Sequence, residues 1–469
     1  MNELESGVTR RASRMSRPVE PPRQASAEGI TLTFYWWLHP APILIAFFVF
    51  VFVPTAGLGG DAFAALWGGY KYFDYRMLAI VTLGFSAYLC AFWASTRLGG
   101  RGRGGVALTL SPMSVGTVRN WYRIVYLATL LGYIFWVAVA ALQGASLAQV
   151  QAVLSLEQGA ISSLKSVSVP VAGLTTLTQL GPLAAVLWVI LRRLGESGRA
   201  SIGFLVGIAA LRSFLYGERL ALLEIAVPLL VMMALTARSQ SARRWAKRAP
   251  ALAVPALVAF FSLFEYTRSW QFAKESHGGN FSGYMVDRLL GYYATAANNS
   301  GLMYEHVSRV PGVPYFSAPA LWDFPLTPVL AGSATVDGVA PGMWWFSQLV
   351  GFANPNFTNV GSVLVTAGEL GLAGMVVYWT MLGLIAGVIF LRMKSGDLGC
   401  LALYATGFVG LLELVRFNYW SLGRFTPCLV ACVVLAVQLR GQAGASPHDD
   451  EMGDSRPLRG GLSSSRRED

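Results

Sequence analysis

Runs of about twenty apolar residues recur along nearly the whole chain, and few folds accommodate that pattern. Ten can be marked, at roughly 36–57, 76–96, 121–142, 171–191, 201–215, 220–237, 250–266, 360–391, 399–415 and 420–438. Runs this long, repeated this often, predict an α-helical protein that crosses a membrane many times. A membrane barrel would instead show short alternating strands. Composition agrees: of 469 residues, 54% are hydrophobic and 13% charged, about half the charge of an ordinary soluble domain. The expected fold is all-α and polytopic, with about ten transmembrane helices in residues 30–440 and one large loop at 267–359. The eighth run is long, and Gly368-Glu369 within it predicts a broken or re-entrant segment ahead of the crossing helix.

Residues 1–29 and 441–469 are polar and rich in Ser, Pro and Arg, and read as disordered tails. The first is too long and polar to be a cleaved signal peptide. Orientation follows from basic residues flanking the runs. Arg10, Arg11, Arg14, Arg17 and Arg23 precede the first run. Arg97, Arg101, Arg103 and Arg119, then Arg192, Arg193 and Arg199, follow in alternate connections. Arg238, Arg243, Arg244, Lys247 and Arg248, then Arg392 and Lys394, complete the set with the C-terminal tail. Both termini are therefore expected in the cytoplasm and the large loop outside. The net charge of +11 belongs to these flanks and gives no sign of nucleic-acid binding.

Several arginines run against this bias. Arg212 and Arg219 fall in a short polar turn between two apolar runs, in "LRSFLYGERLALLE". Arg268, Arg288 and Arg309 lie in the large loop, and Arg416 and Arg424 bracket the last outer turn. Arginine is costly at such positions, and an anionic ligand is the simplest reason for the set. The plainer alternative is local ion pairing, of Arg219 with Glu218 or Glu224 and of Arg416 with Glu413. The loop adds Trp270, Tyr292, Tyr293 and the amides of "LGYYATAANN", which suit a sugar bearing a phosphate, although an interfacial aromatic belt explains each ring equally well. Met285, Leu289, Tyr292, Tyr293 and Ala296 predict an amphipathic helix over 283–309. "PGMWWFSQLVGF" predicts an interfacial segment with Trp344 and Trp345 at headgroup depth. Glu265, Glu275 and His277 are the candidate bases, unranked. The four cysteines lie in apolar runs without ligand spacing, and no HExxH, Asp-x-Asp or nucleotide-binding glycine motif occurs, so no metal or cofactor is expected.

On the "GER" turn, "YTRSW", "LGYYATAANN", "GELGLAGMVVYWTMLGLIAG" and an arginine near the last outer turn, the chain from about 36 to 438 resembles the bacterial O-antigen polymerase (Wzy-like) family. That resemblance implies a GT-C-like fold. It also implies a metal-independent glycosyltransferase of the plasma membrane, acting on polyprenyl-pyrophosphate-linked oligosaccharides, with a flippase and a chain-length regulator as protein partners. Arg268 and Gly279 fit the R-x10-G pattern described for the family. Arg288 and Arg309 do not, because Asn299 and Ala320 stand where glycine is required. By the resemblance Arg219 and Arg268 would be catalytic, with Arg212, Arg288, Arg416 and Arg424 holding substrate. An O-antigen ligase shares this layout. A lipid-linked-glycan flippase is the rival of another class, disfavoured by the absence of an internal repeat, and a non-catalytic export subunit is a third.

Overall fold

A computed structural model describes residues 29–98, 106–108, 110–157, 159–171, 173–196, 198, 200–270, 273–275, 277–308, 313–324 and 326–444. Most of the two expected tails, together with Arg101, Arg103, Arg199, Arg309 and the side chain of Arg268, lies outside the described residues.

The apolar runs are helices. In chain order they begin with α1 (Pro40–Gly57), α2 (Gly60–Trp67), α3 (Tyr75–Leu98) and α4 (Pro112–Leu142). Next come α5 (Leu147–Leu154), α6 (Ala160–Ser166), α7 (Gly181–Arg193), α8 (Ala200–Tyr216) and α9 (Leu220–Leu235). Then follow α10 (Gln240–Lys247), α11 (Ala249–Glu265), α12 (Phe281–Val307), α13 (Pro341–Phe352), α14 (Ser362–Lys394), α15 (Leu398–Glu413) and α16 (Thr426–Gly444). Starts follow local chemistry. Ser111 caps α4 by accepting from the Ser114 N–H at 3.1 Å, with Pro112 in the first turn, and Asp397 caps α15 through the Cys400 N–H at 2.9 Å.

Length separates these helices. Five are long and apolar enough to cross a membrane: α1, α3, α4, α7 with its preceding turn from Thr175, and α14. The pair α10–α11, bent by 63°, makes a sixth if it counts as one. The shorter apolar helices α8, α9, α15 and α16 account for the rest of the ten expected runs. At 1.5 Å per residue, the 17 residues of α8 reach about 25 Å, short of a ~30 Å hydrocarbon core. The described residues are mostly helical, as expected, beside a short antiparallel pairing of β1 (Ile30–Leu32) with β2 (Val106–Leu108).

Helix α7 is the centre of the bundle, with every residue from Leu183 to Leu187 fully enclosed. Helices α3 and α14 pack backbone to backbone. A Cβ on Gly383 would lie 2.3 Å from the Tyr88 carbonyl oxygen, and one on Gly387 would lie 1.8 Å from Ser95 Oγ; only glycine at i and i+4 permits this approach. The break expected near Gly368-Glu369 falls at Gly371, whose φ of 72° is left-handed. Outward faces are apolar, as at Phe50, Leu127 and Val377, which suits lipid rather than water.

The ends of the helices sort into two groups. At one end the Thr33 N–H bonds Leu235 O at 2.7 Å, Arg193 Nε donates to Thr236 Oγ1, and Arg440 pairs with Asp397 at 2.7 Å. At the other end the Gly361 N–H bonds Ala296 O, the Ser362 N–H bonds Leu414 O, and Arg424 joins Glu218 and Glu224. Among the described basic residues of the alternate connections, Arg119, Arg193, Arg238, Arg243 and Arg392 lie at the first end.

The segment expected as an exposed loop packs. Helix α12 is buried from Ala294 to Met303, so it is no amphipathic surface helix. Trp344 and Trp345 are not at a surface either: both are buried with Leu302, Met303, Leu349 and Val365. The exposed large apolar residues of α13 are Met343, Phe346, Val350 and Phe352 instead.

Candidate functional site

The second end of the bundle holds a cluster built from four chain regions. The first is the turn after α8. Gly217 adopts φ of 58° and closes a double hydrogen-bonded helix end, with the Glu218 N–H on Ser213 O (3.0 Å) and its own N–H on Phe214 O (3.2 Å). That geometry sends Glu218 and Arg219 away from α8 before α9 begins. Arg212 is not in the turn, as the sequence implied, but inside α8, one turn from its end. Its guanidinium reaches the Thr178 hydroxyl at 3.0 Å and Glu218 at 3.3 Å.

The second region is the end of α11. Glu265 is fully enclosed and accepts from Arg219 Nη2; Arg288 Nε lies 3.4 Å from its Oε2, and the Tyr284 hydroxyl donates to it at 3.2 Å. The third region, α12, presents Tyr284, Arg288 and Tyr292 at spacings of four, which is one helical face. The fourth is the connection from α15 to α16. Arg416 pairs with Glu413 at 2.8 Å. Arg424 spans Glu218 and Glu224, and the Tyr419 hydroxyl donates to Glu224 at 3.0 Å.

Tyr292 is the meeting point. The guanidinium carbons of Arg416, Arg219 and Arg288 lie 4.8, 5.1 and 6.0 Å from its ring centroid, within range of a cation–π attraction. Arg219 also sits 3.8 Å from the Phe261 ring and Arg288 4.5 Å from the Phe357 ring. Burial, first, and then Glu413 push the Tyr293 phenol above its ordinary pKa, against the pull of Arg416 and Arg219.

The arginines are therefore paired, and one reading needs correction. Arg219 does not pair with Glu218 or Glu224; its carboxylate is Glu265, while Glu224 pairs with Arg424 and Glu218 is shared by Arg424 and Arg212. Arg416 does pair with Glu413. Among the described residues, five guanidiniums meet four carboxylates, leaving one cation in excess. Pairing is also incomplete: Arg212 Nε, Arg288 Nε and Arg416 Nε are buried without a hydrogen-bond partner among the described residues. For Arg288 the ion pair is close but its N–H is not aimed at an acceptor.

The remaining candidates divide. Trp270 is buried against Phe281 and Tyr284, with centroids at 5.2 and 5.4 Å, so its faces pack protein rather than an open sugar platform. Arg268 lies in the helical turn Tyr266–Trp270 that continues α11. Gly279, like Gly278, has a left-handed φ, which makes it a reversal into α12, capped by Asn280 accepting from the Gly283 N–H at 3.0 Å. His277 Nδ1 lies 3.0 Å from Ala273 O, and its ring packs edge-on to Tyr284 at 5.1 Å, one side chain removed from Glu265. Glu275 is exposed in the same turn. The amides expected to meet sugar hydroxyls hold backbone instead. Asn298 accepts from Tyr72 and Phe73 N–H and donates to Tyr70 O; Asn299 donates to Phe357 O and Asn359 O.

The sequence reading missed Tyr284 as the third partner of Glu265. Its place four residues before Arg288 and eight before Tyr292 was the available signal. It also missed Glu369, which accepts from the Phe316 and Ser317 N–H groups at 2.8 and 2.6 Å and pins the large loop beside the Gly371 break. No three His, Cys, Asp or Glu side chains among the described residues are placed to hold a metal ion. No protein-family model, curated protein or solved structure matches the chain.

Proposed function

We propose that this chain is a glycosyltransferase of the bacterial plasma membrane that polymerises polyprenyl-pyrophosphate-linked oligosaccharide repeats into a surface polysaccharide. In this reading it crosses the membrane ten times, the basic end faces the cytoplasm, and the arginine cluster lies at the outer face. The observation that carries the proposal is the cluster around Tyr292, with one cation in excess and three buried guanidinium N–H groups unpartnered. An unmet buried donor costs about 1–3 kcal/mol, more when charged. A pyrophosphate offers the acceptors those donors lack.

The reaction needs few groups. The acceptor hydroxyl oxygen bonds to the anomeric carbon as that carbon's bond to the pyrophosphate oxygen breaks. The electron pair leaves with the pyrophosphate, and the hydroxyl proton passes to a base. Arg219, Arg288 and Arg416 bind and neutralise the leaving group, because charge grows there in the transition state. Arg212 and Arg424, tied through Glu218, hold the rim, and Arg268, in the turn that follows Glu265, is assigned to the same leaving group. His277 or Glu275 takes the proton, since Glu265 is enclosed by its three donors. A flippase and a chain-length regulator would act beside it.

Glycan analysis of a deletion strain, complemented with the wild-type gene, tests the proposal. Accumulation of single lipid-linked repeats is the expected result. Long chains unattached to their acceptor would make the protein a ligase instead, and an unchanged polymer would end the transferase reading.

A further inference from the structure

The opposite end of the bundle contains a cavity of 390 Å³ lined by Arg119, Tyr122, Arg123, Glu196 and Ser201 with the Leu191 and Gly198 backbone region. That volume lies within the range of small-molecule sites, about 300–1,000 Å³. Its walls are fixed. Arg119 donates to Glu196 through Nε at 2.9 Å and Nη2 at 2.7 Å, the Tyr122 hydroxyl meets Ser201 Oγ at 2.9 Å, and the Trp188 indole holds Gly198 O at 2.9 Å. Glu196 is committed to Arg119. Arg123, one turn further along α4, has no hydrogen-bond or ion-pair partner among the described residues, so the cavity keeps one positive charge.

Arg123 also stands at the head of an exposed apolar stripe on α4. Leu127, Leu131 and Ile134 follow it at spacings of four, four and three, at 63%, 43% and 62% exposure, and α4 is among the helices long enough to cross a membrane. A lipid has this layout: an anionic headgroup joined to chains that run down the helix. A soluble anion would use the cavity alone and have no use for the stripe beside it. We infer that the Arg119–Arg123 cavity binds the phosphate headgroup of an anionic phospholipid from the leaflet at that end, with its acyl chains along the α4 stripe. The inference rests on the placement of α4 in a bilayer, not on the transferase chemistry.

Native mass spectrometry of the full chain in detergent reads it directly, with no glycan present. Phosphatidylglycerol should be retained well above phosphatidylcholine. Arg123→Gln should weaken that retention roughly fivefold, whereas Arg244→Gln, an exposed arginine at the same end, should leave it unchanged. Arg119→Gln in addition should weaken it further. Because Arg123 has no partner to lose, its variant folds even if the double variant does not. Equal retention of the two lipids, or undiminished retention by Arg123→Gln, overturns the assignment. Displacement of phosphatidylglycerol by millimolar inorganic phosphate overturns the lipid in favour of a free anion.

Discussion

Arg219, in the turn before α9, pairs with Glu265, the last residue of α11, 46 positions further along the chain. The same carboxylate takes the Tyr284 hydroxyl and faces Arg288, so one enclosed glutamate joins α9, α11 and α12. Removing it leaves two buried guanidiniums uncompensated. Glu265→Ala should cost about 3–5 kcal/mol, read as a lowered thermal midpoint in detergent, and Glu265→Gln should cost less.

Arg219 separates binding from structure. Arg219→Lys keeps the charge but loses the planar fork, and should abolish most polymer formation at normal protein level. If the pair were only structural, Glu265→Gln would damage polymer formation as much as Arg219→Lys does. A fully active, normally expressed Arg219→Ala protein would exclude the pyrophosphate role.

Acid should loosen this end of the bundle. Burial disfavours the charged form of Glu218, but Arg424 and Arg212 outweigh it and hold the carboxyl below its ordinary pKa. A depressed folded-state value means that the contribution is complete above the unfolded carboxylate pKa and is lost as pH falls through the folded one. Thermal unfolding from pH 7 to pH 3 should show this loss. Glu218→Gln should flatten the acid limb while lowering stability at pH 7.

Glycines at the α3–α14 contact should be intolerant. Gly383→Val drives a side chain into the Tyr88 carbonyl and should lower expression sharply. Gly203→Ala, on α8 with nothing within 4 Å of the new atom, should be neutral or stabilising by about 0.5–1 kcal/mol.

Labelling of introduced cysteines in intact cells tests orientation. Positions 280 and 330 should react with an impermeant reagent, and position 244 should be protected. Cys400, Cys428 and Cys432 are buried, which keeps their background low. Protection at 280 would move the arginine cluster to the other face.

The helices were legible because an apolar run that excludes charge announces its own ends. Helix α9 begins where expected, and the break in α14 falls two residues after Glu369. The pairing of charges was not legible. Glu413 reaches Arg416 within one turn, so local spacing reveals it, whereas Glu224 meets Arg424 200 positions away, a partnership fixed only when α9 and the α15–α16 connection pack. The large loop misled for a related reason. Trp344 and Trp345 have the composition of a lipid headgroup belt, and only the three-dimensional arrangement supplies Leu302, Met303 and Val365 to bury them.

The placement of residues 30–37 has a consequence for biogenesis. Ile30–Leu32 pair with Val106–Leu108, the Thr33 N–H is held by Leu235 O, and the Trp37 indole donates to Ala246 O at 3.0 Å. That segment thus waits for partners made up to 209 residues later. Helix α1 can enter the bilayer when it leaves the ribosome, but its anchorage must remain provisional until α9 and α10 have been synthesised. Assembly of this protein therefore closes as a ring, with an early piece locked by the middle of the chain.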